Sequence, residues 1–230
     1  TKPANISCAP FLLPVAPGLA VDGAEPQRIE LDDGYALDDF VDFLGWYLSE
    51  GHKTTVSISI AQGKEPYVSE IRDLTQRMGL NVNESISNAA GVNKATMDTM
   101  AFSVRKKSTP QLVNWVRENC GGKSDTKKIP EAIYDLSKRL KLRFLMAFIK
   151  GDGCFDPRMG RHPLMARATT TSPFLRDGLQ RLAIECGISC TIVGRIQRVA
   201  HHLPSWQLSF TFGRESVGLD LRNGHLRWEE

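Results

Sequence analysis

The chain of 230 residues predicts an α+β fold built twice, and three observations carry that expectation. Two nine-residue segments, Phe43 to Gly51 (FLGWYLSEG) and Leu145 to Gly153 (LMAFIKGDG), share one plan: an apolar helical run with a small residue third, an acid eighth and glycine last. The patterns that follow the first segment recur after the second. Met78-Gly79-Leu80 matches Cys186-Gly187-Ile188, and Met100, Phe102, Val104 match Leu208, Phe210, Phe212, each 108 residues on. Each half is therefore expected to run αββαββα with antiparallel strands. A pseudo-twofold relates the halves, which join through the two acidic helices.

Leu37, Phe40, Val41, Leu44, Tyr47 and Leu48 form a helical stripe from Ala36 to Glu50. Thr54 to Ala61 alternates, with Val56, Ile58 and Ile60 expected to point inward, and so predicts a half-buried strand. A helix over Glu65 to Met78, stopped by Gly79, carries Val68, Ile71, Leu74 and Met78 on one face. Strands near Leu80 to Ser87 and Met97 to Arg105 precede a helix around Pro110 to Glu118. The acids Glu50 and Asp152 are only 102 residues apart, so about six extra residues lengthen the turn Cys154 to His162. The domain boundaries are a Pro-rich then acidic extension or docking segment at 1–35, a first half at 36–118, a linker with paired glycines and lysines at 119–130, and a second half at 131–230.

Composition narrows the function. The 41% hydrophobic and 24% charged content is that of an ordinary globular chain, and no apolar run reaches membrane-spanning length. With a Thr1 start that shows no basic, cleavable leader, the expectation is a soluble, intracellular protein. Five cysteines (Cys8, Cys120, Cys154, Cys186, Cys190) without a CxxC pair support reduced, mostly buried thiols rather than disulfides or zinc. Residues 1–50 hold nine acids against two bases, while the remainder holds 27 bases against 17 acids. A body so basic suits a polyanionic partner.

Glu50 and Asp152 each fall on the last turn of a helix, where free carbonyls already make the field negative. If Gly45 and Ala147 let the two helices approach closely, the acids arrive at one end together. At about 5 Å and an effective dielectric near 20, two carboxylates repel by roughly 3 kcal/mol. Such an arrangement suits a bound cation or a shared proton better than packing. Around it, the outward strand faces carry hydroxyl, amide and guanidinium groups, which suit base-edge reading in the major groove. They are Thr55, Ser57, Ser59, Thr99, Ser103 and Arg105 in the first half, and Arg167, Thr169, Arg195, Gln197, Gln207, Ser209 and Thr211 in the second.

The two motifs and the duplicated register resemble the LAGLIDADG homing endonuclease family in its single-chain, two-motif form. The resemblance covers about Leu37 to Arg222, and the run Lys128-Ile129-Pro130 is similar to intein-encoded (DOD-type) members. It implies a saddle of two antiparallel sheets on duplex DNA, with the motif helices at the interface. It implies a site-specific double-strand endonuclease, acting as a monomer on a long asymmetric site and leaving short 3′ overhangs. Carried over, Glu50 and Asp152 bind Mg²⁺ or another divalent cation such as Mn²⁺, with the carbonyls of Ser49 and Gly151 as further ligands. Lys53, Lys106 with its partner Arg214, and Lys107 as an alternative are basic candidates beside the metal. Gln62 and Thr170 are candidates to position water, and Arg198 joins the DNA-contacting set. The second half has no lysine matching Lys53, so unequal strand cleavage is expected.

Two other readings of the same fold stay open: an RNA maturase and a DNA-binding transcription regulator. The motif acids favour the enzyme. An intein would need a nucleophile first and a His-Asn pair last, whereas these residues run from Thr1-Lys2 to Glu229-Glu230. The segment is thus expected to be unable to splice alone, though a place inside a larger intein fits.

Overall fold

The computed structural model describes residues 34–87, 99–155, 164–195, 203–212, 219–220 and 227–228. The first half runs α1 (Leu37–Glu50), β1 (Gly51–Lys53), β2 (Ser57–Gln62), α2 (Tyr67–Arg77), β3 (Val82–Ser87), β4 (Thr99–Arg105) and α3 (Pro110–Asn119). After a short 3₁₀ turn at Glu131–Ile133 come α4 (Lys138–Asp152), β5 (Gly153–Phe155), β6 (Leu164–Thr170), α5 (Pro173–Glu185), β7 (Ser189–Arg195) and β8 (Ser205–Phe212). The predicted closing helix of the second half is not among the described residues; Leu219–Asp220 (β9) instead pairs antiparallel with Arg227–Trp228 (β10).

Each half contributes one four-stranded antiparallel sheet, ordered β1-β2-β4-β3 and β5-β6-β8-β7. The duplication is thus real in topology. Its register is finer than the sequence pattern suggests. Ile60 faces Phe102 in the first sheet and Ala168 faces Leu208 in the second, so β2 maps to β6 at 108 while β4 maps to β8 at 106. The β3–β4 connection is two residues longer than β7–β8. A slip of two leaves every side chain on its own face, so periodicity cannot detect it. The correct partner of Met100 is Trp206, and that of Lys106 is Phe212 rather than Arg214.

Val56 is a second correction. It was expected on the inward face of a strand, yet it is 64% exposed. Thr54 ends the alternation: its hydroxyl accepts the backbone N–H groups of Val56 and Ser57, folding 54–57 into the β1–β2 turn. Thr55 lies in that turn too.

The core is continuous across both halves and centres on α1 and α4, which lie side by side. Nine consecutive or near-consecutive α1 residues from Phe40 to Ser49 are buried, because α4 covers one side of the helix and β2 and α2 the others. The packing is parallel. Asp38 meets Arg139 through two hydrogen bonds of 2.7 and 2.8 Å, and Arg143 binds the Asp42 carboxylate one turn on. Three residues past Asp42, a β-carbon on Gly45 would stand 2.6 Å from the Phe144 carbonyl and 2.7 Å from the Ala147 Cβ. Gly45 and Ser49 on one helix thus face Ala147 and Gly151 on the other, small residues at four-residue spacing that let two backbones touch.

The stretch 119–130, read from sequence as a linker, is an ordered loop. Lys128 N–H donates to Cys120 O at 3.1 Å, and Gly121 adopts φ +77° with Thr126 O only 2.0 Å from where a β-carbon would be. Cys120 and Cys186 are buried thiols pushed up to about 12 by burial, while Cys154 is exposed; Cys8 lies outside the described residues.

Candidate active site and nucleic-acid interface

The two motif acids end their helices on the same side of the α1–α4 contact. Helix α1 stops at Glu50 and α4 at Asp152, and each chain passes straight into an edge strand. The glycines that follow serve close approach, not a left-handed cap as a helix stop would suggest: Gly51 has φ −84° and Gly153 φ −109°. A β-carbon at Gly51 would lie 2.2 Å from Tyr47 O, and one at Gly153 2.4 Å from Ile149 O and 2.8 Å from Arg167 O. Gly151 completes the contact, since a β-carbon there would fall 2.1 Å from Ser49 Oγ and 2.9 Å from Glu50 Cγ. The Glu50 side chain therefore lies directly against the last turn that bears Asp152.

Electrostatics along this helix pair change sign of purpose from one end to the other. At the start, Asp38 and Asp42 are matched by Arg139 and Arg143. At the end, acid meets acid. Burial raises the pKa of Glu50. Burial first, then the Glu50 charge, pushes Asp152 up to about 7. The residue as a whole is nonetheless exposed to solvent.

Two cations act on both acids, and sequence reasoning singled out neither. Lys64 follows β2 and is exposed. Lys127 comes from the ordered loop, and its Nζ donates to Leu48 O at 2.9 Å and Ser49 O at 3.1 Å. It caps the last turn of α1 and offsets the negative field there. Burial lowers its pKa against the pull of Asp152 and Glu50. Its own carbonyl accepts the Ser172 hydroxyl at 2.6 Å, tying the loop to the second half. The signal available in sequence was a lysine run just before the second motif helix.

No family model matches this sequence. Among curated relatives, it is 27% identical over 154 residues to the DNA-directed RNA polymerase subunit Rpo1C of Methanocaldococcus jannaschii, covering 67% of this chain and 16% of that protein. It is 30% identical over 165 residues to a DNA polymerase of Thermococcus aggregans, covering 68% of this chain and 8% of that one. The chain thus spans a small fraction of the proteins it matches. Among solved structures, the N-terminal LAGLIDADG domain of DUF199/WhiA superposes with a TM-score of 0.50 at 12% identity, covering 78% of each chain. The fold is the LAGLIDADG fold. I-DmoI in complex with DNA and Mn overlaps with a TM-score of 0.46 at 14% identity, over 76% of this chain and 89% of that one.

On this LAGLIDADG fold the outward sheet faces form equivalent rows. His52, Ser59, Ser103 and Asn83 cross the first sheet, and Cys154, Arg167, Ser209 and Thr191 cross the second. Ser57, Thr99 and Ser103 are half-buried and Arg105 exposed, as are Arg167 and Arg195; Thr169, Gln207, Ser209 and Thr211 are half-buried. Ser59 is 4% exposed and shares a 2.8 Å hydrogen bond with Ser103. Arg195 donates to Gln207 Oε1 at 2.6 Å, a pair that holds the guanidinium over the sheet. Gln197, Arg198 and Arg214 lie outside the described residues.

The basic candidates separate. Lys53 Nζ reaches Arg117 O at 3.5 Å, at the end of α3. Lys106 and Lys107 sit beyond Arg105, which faces Ser57 at the far end of the β2–β4 ladder from Gln62. Five residues of strand, about 16 Å, separate the two ends. With Arg105, Asn83 and Thr54 these lysines line an open groove at the outer edge of the sheet. Gln62 is 3% exposed, its Oε1 accepts Gly63 N–H and Lys64 N–H at 2.9 and 3.0 Å, and its Nε2 has no partner among the described residues. Thr170 caps the equivalent turn by accepting Ser172 N–H.

Tested as a cation site, the arrangement offers two carboxylates with raised pKa and backbone carbonyls at helix ends. Lys127 already occupies one lone pair of Ser49 O. No cluster of three or more His, Cys, Asp or Glu side chains that could hold a metal occurs among the described residues. A hard divalent ion that keeps several waters and takes one or two carboxylates plus substrate phosphate oxygens fits this donor set.

Proposed function

We propose that the protein is a site-specific, divalent-cation-dependent endonuclease of double-stranded DNA, of the homing type, in which Glu50 and Asp152 hold Mg²⁺ or Mn²⁺ against the scissile phosphates. The observation that supports this most is the meeting of two like charges at the close-packed ends of two helices whose other ends are charge-matched. A bound divalent ion supplies Lewis-acid polarisation of the phosphate and a more acidic water.

The chain's own residues divide the remaining work. Glu50 and Asp152 hold the cation and the water near the phosphate. Lys64 and Lys127 balance charge around them. The unpartnered Gln62 Nε2 donates to a water at the end of β2. The outward rows on both sheets, with Arg167 and the Arg195–Gln207 pair, follow a long asymmetric site. Cleavage leaves short 3′ overhangs. One chain supplies both half-sites and so acts as a monomer. Matches to a small share of much longer polymerases fit a segment carried within a larger host protein, as an intein does.

The test is cleavage of a randomised duplex library in Mg²⁺ by the protein and by its Glu50→Gln variant, followed by sequencing of released ends. One long motif, cut by the first and not by the second, is the expected result. Selective binding without cleavage by either would reassign the fold to a DNA- or RNA-binding module.

A further inference from the structure

The outward face of the second sheet carries one side chain that packing does not explain. Val193 is 59% exposed, although Ile192 beside it in β7 packs against the core. By register Val193 stands opposite Gln207 of β8, between Thr191 and Arg195 on its own strand. Arg167, Ser209 and Thr211 share this face, and its described positions hold no acid. The valine methyl groups are thus presented to solvent on a surface whose charge suits a polyanion.

The pair beside Val193 has a fixed hydrogen-bonding character. Arg195 donates to Gln207 at 2.6 Å across the diagonal of the ladder. A guanidinium only donates, so the Gln207 atom that meets it is the amide oxygen. With that oxygen engaged, Gln207 is left to offer its Nε2 hydrogens, and it no longer has the free oxygen with which a glutamine reads adenine bidentately. Arg195 and Gln207 together present donors. In the major groove, guanine shows two acceptors side by side, O6 and N7, and thymine shows an apolar C5 methyl.

The first half does not repeat this cluster. With β4 mapping to β8 at 106, Gln207 corresponds to Ala101, and the residue facing Ala101 is Ser85 where Val193 faces Gln207. The counterpart of the Arg195–Ser205 pair is Ser87 with Thr99. Only one end of a bound duplex can meet the valine, the guanidinium and the amide.

Resting on the duplex-DNA reading above, we infer that Val193, Arg195 and Gln207 form a base-reading cluster for one half-site: Val193 packs on the C5 methyl of a thymine, and the Arg195–Gln207 pair donates to O6 and N7 of a guanine in the adjoining base pair. Residues directly opposite in a ladder stand about 5 Å apart, and base pairs rise about 3.4 Å, so the two contacts fall on neighbouring steps. The cluster also sets which way round the protein lies on its target, since the first half has no copy of it.

The experiment selects duplexes bound by the protein in EDTA, where nothing is cut, from two randomised libraries. One library is made with thymine and the other with uracil, which lacks only the C5 methyl. The recovered motifs are compared for the wild-type protein, Val193→Ala, Val193→Thr and Arg195→Met, with thermal unfolding as the check that each variant folds. At one position the wild-type protein should prefer thymine over uracil by about 4-fold, the worth of one buried methyl, and Val193→Ala should not. Val193→Thr, which keeps the branched shape and one methyl, should fall between them. Arg195→Met should lose about 10-fold of the guanine preference in the adjoining pair and keep the thymine preference. No uracil penalty at any position, a penalty that survives in Val193→Ala, or an equal loss by that variant on all sequences overturns the inference while leaving DNA recognition intact. Absence of sequence-selective duplex binding by the wild-type protein overturns both.

Discussion

Gly151 and Ser49 touch: a β-carbon on the glycine would stand 2.1 Å from the serine hydroxyl, which itself donates to Trp46 O at 3.0 Å. This contact, with Gly45 against Ala147, sets how near the two motif acids come. Gly45→Val should therefore part the helices at their crossing. A loss of about 2–3 kcal/mol is expected from overpacking, measured by urea denaturation, together with loss of cleavage. Unchanged stability would mean the helices do not cross at this glycine.

Asp152→Asn should separate chemistry from stability. Cleavage is lost in Mg²⁺, DNA affinity stays within a few-fold, and the metal-free protein becomes more stable at pH 8, because a like charge has gone from beside Glu50. Thermal unfolding with and without Mg²⁺ reads this directly: the ion should raise the Tm of the wild-type protein and not of the variant.

The pH dependence has a definite sign. Asp152 titrates near 7 in the folded chain, against an ordinary carboxylate value near 4 when unfolded. Its protonated form is favoured by folding, so the associated stability is fully present below pH 4 and is lost as pH rises through 7. Solvent at the exposed residue screens the effect to about 1 kcal/mol, or about 3 °C of Tm. For this residue, the difference between wild type and Asp152→Asn should therefore shrink from pH 8 to pH 5 in metal-free buffer. A difference that grew instead would place the carboxyl among counter-charges.

At the other end of the helix pair, Arg143 is the partner of half-buried Asp42, whose pKa burial raises despite the guanidinium. Arg143→Met leaves that carboxylate unpaired and should cost about 2 kcal/mol, seen as a lower urea midpoint. Arg143→Met paired with Asp42→Leu should recover most of it. A double variant as unstable as the single one would show that packing, not charge, was lost.

DNA binding should weaken steeply with salt, with a log–log slope of about −0.9 for each phosphate neutralised. Replacing Arg195 should relax preference at one position of the site at about 1–3 kcal/mol if it reads a base. A uniform loss across sequences would make it a phosphate contact.

Much of this was legible in the chain. The motif spacing located Glu50 and Asp152, because a helix of 3.6 residues per turn puts a small third residue and an acid eighth at fixed places relative to one another. Alternation located the strands and their polar faces. Lys127 was not legible, since it lies in a stretch whose glycines and lysines resemble any connecting loop. Its role depends on carbonyls 78–80 residues away. Lys64 lies in a turn with no sequence signal of its own, whereas Lys53, nearer Glu50 in sequence, reaches Arg117 O at the end of α3.

The amino-acid sequence by itself determined the duplication, the element order and the pair of acids, because periodicity and helix termination act over a few residues. The tertiary structure decided three further things: the two-residue slip of β8, the identity of the cations beside the acids, and the burial of Ser172 where Lys64 has its counterpart. Each depends on contacts between distant segments, where a slip of two keeps the face pattern intact and a lysine's destination is set by the carbonyls that reach it.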